Sequence, residues 1–316
     1  MRKIEHIKYA LLCEKKEVLE NVFLEYNSLI DFGIEDVDLS TSFCDINFKY
    51  PIYINAMTGG SDESDNINKR LYNIAKKIDI FMFSGSYSPN LSENSYYYPK
   101  KMGANLGLDK SLEDFKKCIL ELEPRIIQAH INPIQELIMH EGDRSFNYKE
   151  KIKDLVANID IPLIIKETGY GMSKSTIDEL VKLGVKTIDL SSNDGTNFSR
   201  IEDMRNNKNR EHLYNLGYKL EDSMINASEY IDKIEVLASG GISNSLEIVK
   251  ALAMGAKSVG ISAYILKKIY NNESDDDIIN DLNEMIYEIK LLILSTNSKN
   301  LTELKGKWYF RNRSVK

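Results

Sequence analysis

The sequence predicts an α/β protein: a (β/α)8 TIM barrel with an N-terminal extension and a C-terminal helix. Three observations predict it. Eight short runs are apolar on both faces, as strands buried inside a parallel sheet are. Between them stand segments whose apolar residues recur every three or four positions, the period of a helix with one buried face. Nearly every run ends on glycine or a polar residue, and in a barrel those ends surround a single mouth.

The elements follow in chain order. Residues 1–50 form the extension that precedes the first strand, with a helical stretch over 5–18. The barrel occupies 51–270. Its strands are read at 51–57 (PIYINAM), 80–84 (IFMFS), 102–106 (MGANL), 125–130 (RIIQAH), 162–166 (PLIIK), 186–191 (KTIDLS), 234–239 (IEVLAS) and 257–261 (KSVGI). Helical periodicity is clear at 175–183 and 245–254. Two connections, 131–150 after the fourth run and 192–225 after the sixth, are long and polar. They are expected as loops on the catalytic face, the second as a mobile lid. Residues 271–316 form a C-terminal extension with an amphipathic helix at 277–294, whose apolar face carries Ile278, Leu282, Met285, Ile286, Ile289 and Ile293. Asp275 to Asp277 suit the positive end of its dipole.

Composition narrows the class. With 42% apolar and 28% charged residues among 316, the chain is globular. A net charge of −7 argues against nucleic acid or an anionic membrane as partner. Cys13, Cys44 and Cys118 are odd in number and far apart, which fits a reducing compartment. The start has no signal-peptide pattern, and no apolar stretch nears the ~18–20 residues of a membrane span. The expectation is a soluble cytoplasmic protein.

The run ends carry the candidate chemistry. They read Ala56-Met57-Thr58-Gly59-Gly60, Ser84-Gly85-Ser86, Asn105, Gln128-Ala129-His130, Lys166, Ser191, Ser239-Gly240-Gly241 and Gly260-Ile261-Ser262. The last two groups fall at strands seven and eight, where barrels commonly hold phosphate on backbone N–H groups and a helix N-terminus. Lys166 ends PLIIK before a glycine-rich loop. A catalytic amine, a Schiff-base lysine, a flavin-stabilising cation and a solvated strand end are all open to it. The densest polar cluster is QAHINPIQELIMHEGDRSF, with His130, Asn132, Gln135, Glu136, His140, Glu141, Asp143 and Arg144. It lacks a zinc motif such as HExxH. One carboxylate, Glu136, suffices for Mg2+ when substrate phosphates supply the other ligands. Arg2, Lys3 and His6 make a small basic group at the N-terminus.

These segments resemble a known family. RKIEHIKYAL, DVDLSTSF, INAMTGG, SGSYS, ANLG, QAHINPIQELIMHEGDRSF, IIKETGYGMS, IDLSSNDGTNFSRIE, ASGGIS and ALAMGAKSVGIS occur in the order found in type 2 isopentenyl-diphosphate isomerases, the flavin-dependent kind. The resemblance runs from residue 2 to about residue 265. Its most specific part is QxHxNPxQE followed by EGDRxF. It implies an FMN barrel that needs reduced flavin, Mg2+ and a reductant such as NADPH. The implied reaction interconverts isopentenyl and dimethylallyl diphosphate without net oxidation, with reduced FMN as the acid–base group. It further implies a homo-oligomer.

The matching positions imply roles. Ala56, Met57, Thr58, Ser86 and Asn105 line the flavin ring, Lys166 stands at its N1 side, and Ser191 and Thr196 lie close by. Gly240, Gly241, Ser262 and Ala263 hold the FMN phosphate. Arg2, Lys3, His130 and Asn132 hold the substrate diphosphate, Gln135 lies beside the substrate, and Glu136 binds Mg2+. Gln135 and Lys166 are the implied catalytic pair. One segment departs from the family pattern SGxGGTNF: Ser192 and Asp194 take glycine positions. They are expected to restrict backbone approach there and to add negative charge beside an anionic site. Two alternatives compete: an FMN-dependent 2-hydroxy-acid oxidoreductase, whose base is missing from SSNDGTNF, and a catalytically silent flavin-binding barrel.

Overall fold

The computed structural model describes residues 17–92, 96–139, 142 and 144–311. Arg2, Lys3, His6 and most of the 5–18 stretch lie outside the described residues, as do His140, Glu141 and Asp143. All eight predicted runs are barrel strands: Ile52–Ile54, Phe81–Ser86, Gly103–Gly107, Ile126–Ile131, Leu163–Glu167, Thr187–Asp189, Glu235–Ser239 and Ser258–Ile261. They are parallel and follow one another in sequence order. The eighth closes on the first through Val259 opposite Ile52 and Ile261 opposite Ile54. The register shifts between Phe83 and Ser86. There Gly85 lets the second strand press on the Thr58 carbonyl, where any Cβ would overlap.

The barrel interior is layered because side chains two apart share a face. Tyr53, Phe81, Phe83, Ile126, Ile164 and Leu237 form an apolar layer toward the N-terminal end. Two residues further along each strand, Asn55, Gln128, Lys166 and Ser239 form a buried polar layer beneath the mouth.

A hairpin of Thr41–Phe43 and Ile46–Phe48 plugs the N-terminal end. Phe43 stacks on Phe48 at 4.3 Å and leans on Tyr53, while Phe48 meets Phe81. Its two turn residues, Cys44 and Asp45, both have positive φ, at 55° and 56°. That is the primed turn that matches strand twist.

The predicted helices occur at Lys174–Lys182, Ser245–Ala253 and Asp275–Ser295. Ser173, Asn244 and Ser274 cap them by accepting from Thr176, Glu247 and Asp277 N–H. All six apolar residues predicted for the last helix are buried. Val22–Leu24 pairs antiparallel with Trp308–Phe310, so the two extensions close on each other.

Two expectations fail. The connections read as loops carry helices at Pro133–Ile138, Phe198–Arg205, Glu211–Tyr214 and Leu220–Ser228. Their polarity hid them: Pro133–Ile138 and Glu211–Tyr214 bury no residue, and Phe198–Arg205 buries two carboxylates, Glu202 and Asp203, beside Ile201. Asp203 is fully buried and accepts from Arg210 Nε at 2.7 Å and Tyr214 OH at 2.9 Å. Among the described residues no helix is long and apolar enough to cross a membrane.

Candidate active site

Lys166 stands in the polar layer and is 5% exposed. Its Nζ donates to the Glu167 carbonyl at 2.9 Å and stands 3.6 Å from Asp189 Oδ2 on the next strand. A buried ammonium without a counter-ion costs several kcal/mol, so Asp189 is what allows a cation here. Asp189 Oδ2 also accepts from Tyr53 OH at 2.9 Å and Asn55 Nδ2 at 2.8 Å, and Oδ1 accepts from Ser239 Oγ at 2.5 Å. The next residue, Glu167, turns the other way and accepts from Tyr170 N–H at 2.6 Å. Burial pushes its carboxyl up to about 8, against the opposing pull of that N–H and of Lys166.

A chain of side-chain amides crosses the mouth. Gln128 Nε2 donates to Asn55 Oδ1 at 3.4 Å, Asn105 Nδ2 donates to Gln128 Oε1 at 3.1 Å, and Asn105 Oδ1 meets His130 Nδ1 at 2.8 Å. Lys166, Asn105 and His130 thus join one network. Sequence reasoning missed Tyr53, Asn55 and Asp189 and assigned no role to Gln128. The available signal was polar residues inside otherwise apolar barrel strands, which burial tolerates only when they are paired.

The cluster after strand four is built on a short helix, not a loop. Asn132 caps it: Oδ1 accepts from Gln135 N–H at 2.8 Å, while Nδ2 donates to Thr168 Oγ1 at 2.7 Å and to its carbonyl at 3.2 Å. Gln135 and Glu136 are consecutive on Pro133–Ile138, so their side chains diverge by ~100°. Arg144 folds the segment back by donating to the carbonyls of Glu136, Met139 (2.7 Å) and Gly142 (3.0 Å). Gly142 is required there, because a Cβ would overlap the Glu136 carbonyl. Among the described residues no group of three or more His, Cys, Asp or Glu is gathered for a metal. Glu136 is half-buried at the mouth.

The strand-seven and strand-eight ends lie side by side, with Ser239 opposite Gly260. Gly240 and Gly241 have φ of 106° and 81°. A Cβ on either would stand 2.5 Å from backbone, at Ser192 N and Asp194 O respectively. The helix Ala263–Tyr270 starts at Ser262 with no side-chain cap. Its first turn therefore keeps backbone N–H groups for an anion, beside two glycines against which the backbone of Ser192 and Asp194 packs. This cradle fits the phosphate of FMN. Asp194 stands beside this turn: Ser192 Oγ lies 3.2 Å from both its Oδ2 and the Gly240 carbonyl. Asp194 is buried, and its Oδ2 accepts from Leu220 N–H at 2.6 Å and Ser192 Oγ at 3.2 Å. Its charge is held at the N-terminus of Leu220–Ser228, which Lys219 leaves without a side-chain cap.

The remaining predicted residues edge the same mouth. Ala56 N–H donates to Asn55 Oδ1 at 2.8 Å, and Met57 is half-buried beside it. Thr58 Oγ1 meets Ser64 Oγ at 2.7 Å, and Ser86 Oγ meets Ser88 Oγ at 3.1 Å. Ser191, at φ 41°, offers its carbonyl to Gly169 and Gly171 N–H, and the Thr196 carbonyl packs on Gly169. A cavity of about 500 Å3 opens elsewhere, in the strand-six connection between Arg200, Lys208 and Tyr214, and includes none of the predicted site residues.

Fold and site together define an FMN-barrel enzyme. The FMN-dependent dehydrogenase family profile matches residues 92–273. The fold matches the flavin-binding domain of baker's yeast flavocytochrome b2 with a TM-score of 0.68 at 17% identity, over 99% of this chain and 85% of that one. It matches a mandelate oxidase mutant at 0.64 and 13%, over 97% and 92%. The isopentenyl-diphosphate delta-isomerase of Streptococcus mutans serotype c is 37% identical over 315 residues, covering 96% of this chain and 95% of that protein. The Streptococcus gordonii protein of the same name is 36% identical over 317 residues, with 96% and 94% covered. The chain belongs to the isopentenyl-diphosphate delta-isomerase family.

Proposed function

We propose that the protein interconverts isopentenyl and dimethylallyl diphosphate with FMN in its reduced form, with Mg2+, and with NADPH as reductant. The observation that carries this reading is the near-full-length likeness to the streptococcal isomerases. The mouth supports it. Gly240, Gly241, Ser262 and Ala263 would hold the FMN phosphate. Ala56, Met57, Thr58, Ser86, Asn105, Ser191 and Thr196 would surround the ring, with Lys166 at N1. When bound and reduced, FMN supplies electron density and an acid–base group beside the alkene.

The residues do the rest. Isomerisation adds a proton to one carbon and removes one from another, through a tertiary cation that water would trap. The site must therefore be dry. Arg2, Lys3, His130 and Asn132 hold the diphosphate, and Glu136 holds Mg2+ together with diphosphate oxygens and water. Gln135, whose amide donates and accepts, orients the alkene and relays the proton. Lys166 places positive charge where negative charge gathers, and Asp189 keeps that ammonium in place.

The test is an anaerobic assay with FMN reduced once by dithionite in the presence of Mg2+. Many turnovers per reducing equivalent are expected. NADPH consumed in step with product would overturn the reading, and a flavin-loaded protein inert to both diphosphates would make the barrel a silent one. Flavin reduction by lactate or glycolate would favour the 2-hydroxy-acid oxidoreductase, although residues 191–198 (SSNDGTNF) offer it no histidine base. A homo-oligomer is part of the proposal, and a light-scattering mass of 36.2 kDa would overturn it.

A further inference from the structure

The amide chain across the mouth has a direction, and both ends of Asn55 set it. Asp189 faces the Lys166 ammonium and, as a carboxylate, only accepts. Its Oδ2 takes Asn55 Nδ2 at 2.8 Å, which turns Asn55 Oδ1 the other way. The Ala56 backbone N–H, which only donates, holds that oxygen at 2.8 Å. Gln128 must then present Nε2 to Asn55 Oδ1 and Oε1 to Asn105. Asn105 must present Nδ2 to Gln128 and Oδ1 to His130 Nδ1. Flipping one amide sets two oxygens or two NH2 groups against each other. Flipping all three sets the Asn55 oxygen against Asp189 and its NH2 against Ala56 N–H. An amide oxygen cannot donate, so Nδ1 of His130 carries the proton.

We propose that Asp189, Asn55, Gln128 and Asn105 are positioning residues that lock His130 in the Nδ1–H form, so that it takes the substrate diphosphate only as imidazolium. This rests on the reading of His130 as a diphosphate ligand. A neutral ring with its proton on Nδ1 offers a lone pair at Nε2, which repels a phosphate oxygen. A free imidazole would move its proton to the other nitrogen, but here the chain forbids it. Protonation turns Nε2 into a donor and adds a charge. Above ~6.5, where imidazole ordinarily titrates, diphosphate binding must therefore take up a proton.

Among the described residues, charged groups stand on the elements beside the ring. A Cβ on Gly107 would overlap Asp109 Oδ1 and stand 3.2 Å from His130 Nε2, so Asp109 lies near that nitrogen. Asp109 is paired with Lys110 at 2.5 Å, and Lys151 donates to its carbonyl at 3.1 Å. Lys166, opposite His130 on the next strand, is balanced by Asp189. Glu136 and Arg144 follow on the segment after strand four, and Arg144 is turned to carbonyls.

The test is calorimetric titration of the oxidised FMN holoenzyme with inorganic diphosphate and Mg2+ from pH 6.5 to 9, in two buffers of different ionisation enthalpy. Subtracting His130→Gln removes the titration of diphosphate itself. Wild type is expected to weaken by about tenfold per pH unit in the upper range relative to that variant, with about one extra proton taken up. Gln128→Leu frees Asn105 to flip and should abolish the excess slope. A wild type without excess slope, beside a weakened His130→Gln, overturns the proposal alone. His130→Gln binding like wild type at every pH overturns the ligand reading as well. Should Gln128→Leu fail to load FMN, ¹⁵N-histidine spectra of wild type decide. The resonance lost in His130→Gln must report Nδ1–H in the neutral ring, and Nε2–H there overturns the proposal.

Discussion

Lys166 was legible because it ends an apolar run, where a cation needs a reason. Its counter-ion was not, because Asp189 lies inside the run KTIDLS and nothing local tells a paired acid from a stray one. Glu167 shows how one step along a strand changes a residue's setting. It faces away from the mouth, and burial raises its carboxyl from 4.5 to about 8. The folded protein thus keeps a proton that the unfolded chain releases. Stability from this group is full below pH 4.5 and is lost as pH rises through 8. Glu167→Gln should flatten the melting temperature between pH 5 and 8 and raise it at pH 8. An unchanged pH profile would show that Glu167 ionises without cost. Gln135 and Glu136 diverge on one short helix, so their variants should part as well. Gln135→Ala should lower kcat by ~10²-fold with little change in diphosphate affinity, as loss of an acid–base participant does. Glu136→Gln should raise the Mg2+ requirement and KM. Equal small losses in both would reduce the pair to a hydrogen-bonded rim.

Among elements, the barrel strands were legible and the accessory ones were not. A strand buried on both faces needs an unbroken apolar run, so eight such runs are hard to mistake. The plug hairpin hides because its turn is Cys44-Asp45, without the Asn or Gly that marks a positive-φ pair. Val22–Leu24 and Trp308–Phe310 hide because each is three residues long and finds its partner at the far end of the chain. In the strand-six connection Phe198–Arg205 hides because two of its buried groups are carboxylates, Asp203 held by Arg210 and Tyr214 and Glu202 by Arg205. The hairpin also makes a prediction. Phe43 is 1% exposed and packs against Phe48 and Tyr53 at the end away from the mouth. Phe43→Ala should cost ~3–5 kcal/mol of stability. Denaturant unfolding should show that loss while KM for isopentenyl diphosphate stays near wild type. A KM that moves with stability would mean that the apolar layer transmits strain to the polar layer above it.

At the scale of the whole molecule, a strand near the start of the described residues meets one near their end. Val18 is 1% exposed, and its Cγ2 stands 2.9 Å from where a Cβ on Gly241 would lie. The extension therefore runs beside the phosphate turn. From there Lys250 donates to the Leu19 carbonyl at 3.0 Å, and Lys219 pairs with Glu20 at 2.9 Å. The strand Val22–Leu24 then takes Trp308–Phe310 as its only strand neighbour among the described residues. Phe23 stacks on Tyr309 at 5.9 Å, and the Arg311 guanidinium stands 4.3 Å from the centre of the Phe23 ring. The C-terminal strand is thus the far anchor of a segment whose near end lies beside the Gly240-Gly241 turn. Truncation after Lys307 removes that anchor without touching the barrel. It should lower the melting temperature by about 3 °C, the shift that ~2 kcal/mol produces in a chain of this size. On the proposed role of residues 1–50 as a cap, it should also raise KM for isopentenyl diphosphate several-fold while kcat with pre-reduced FMN changes little, because the barrel strands are intact and only that segment is loosened. A fall in kcat at unchanged KM would place the C-terminal strand's influence on the barrel itself. Unchanged values of both would mean that Val18, Leu19 and Glu20 hold the extension without help from the other end of the chain.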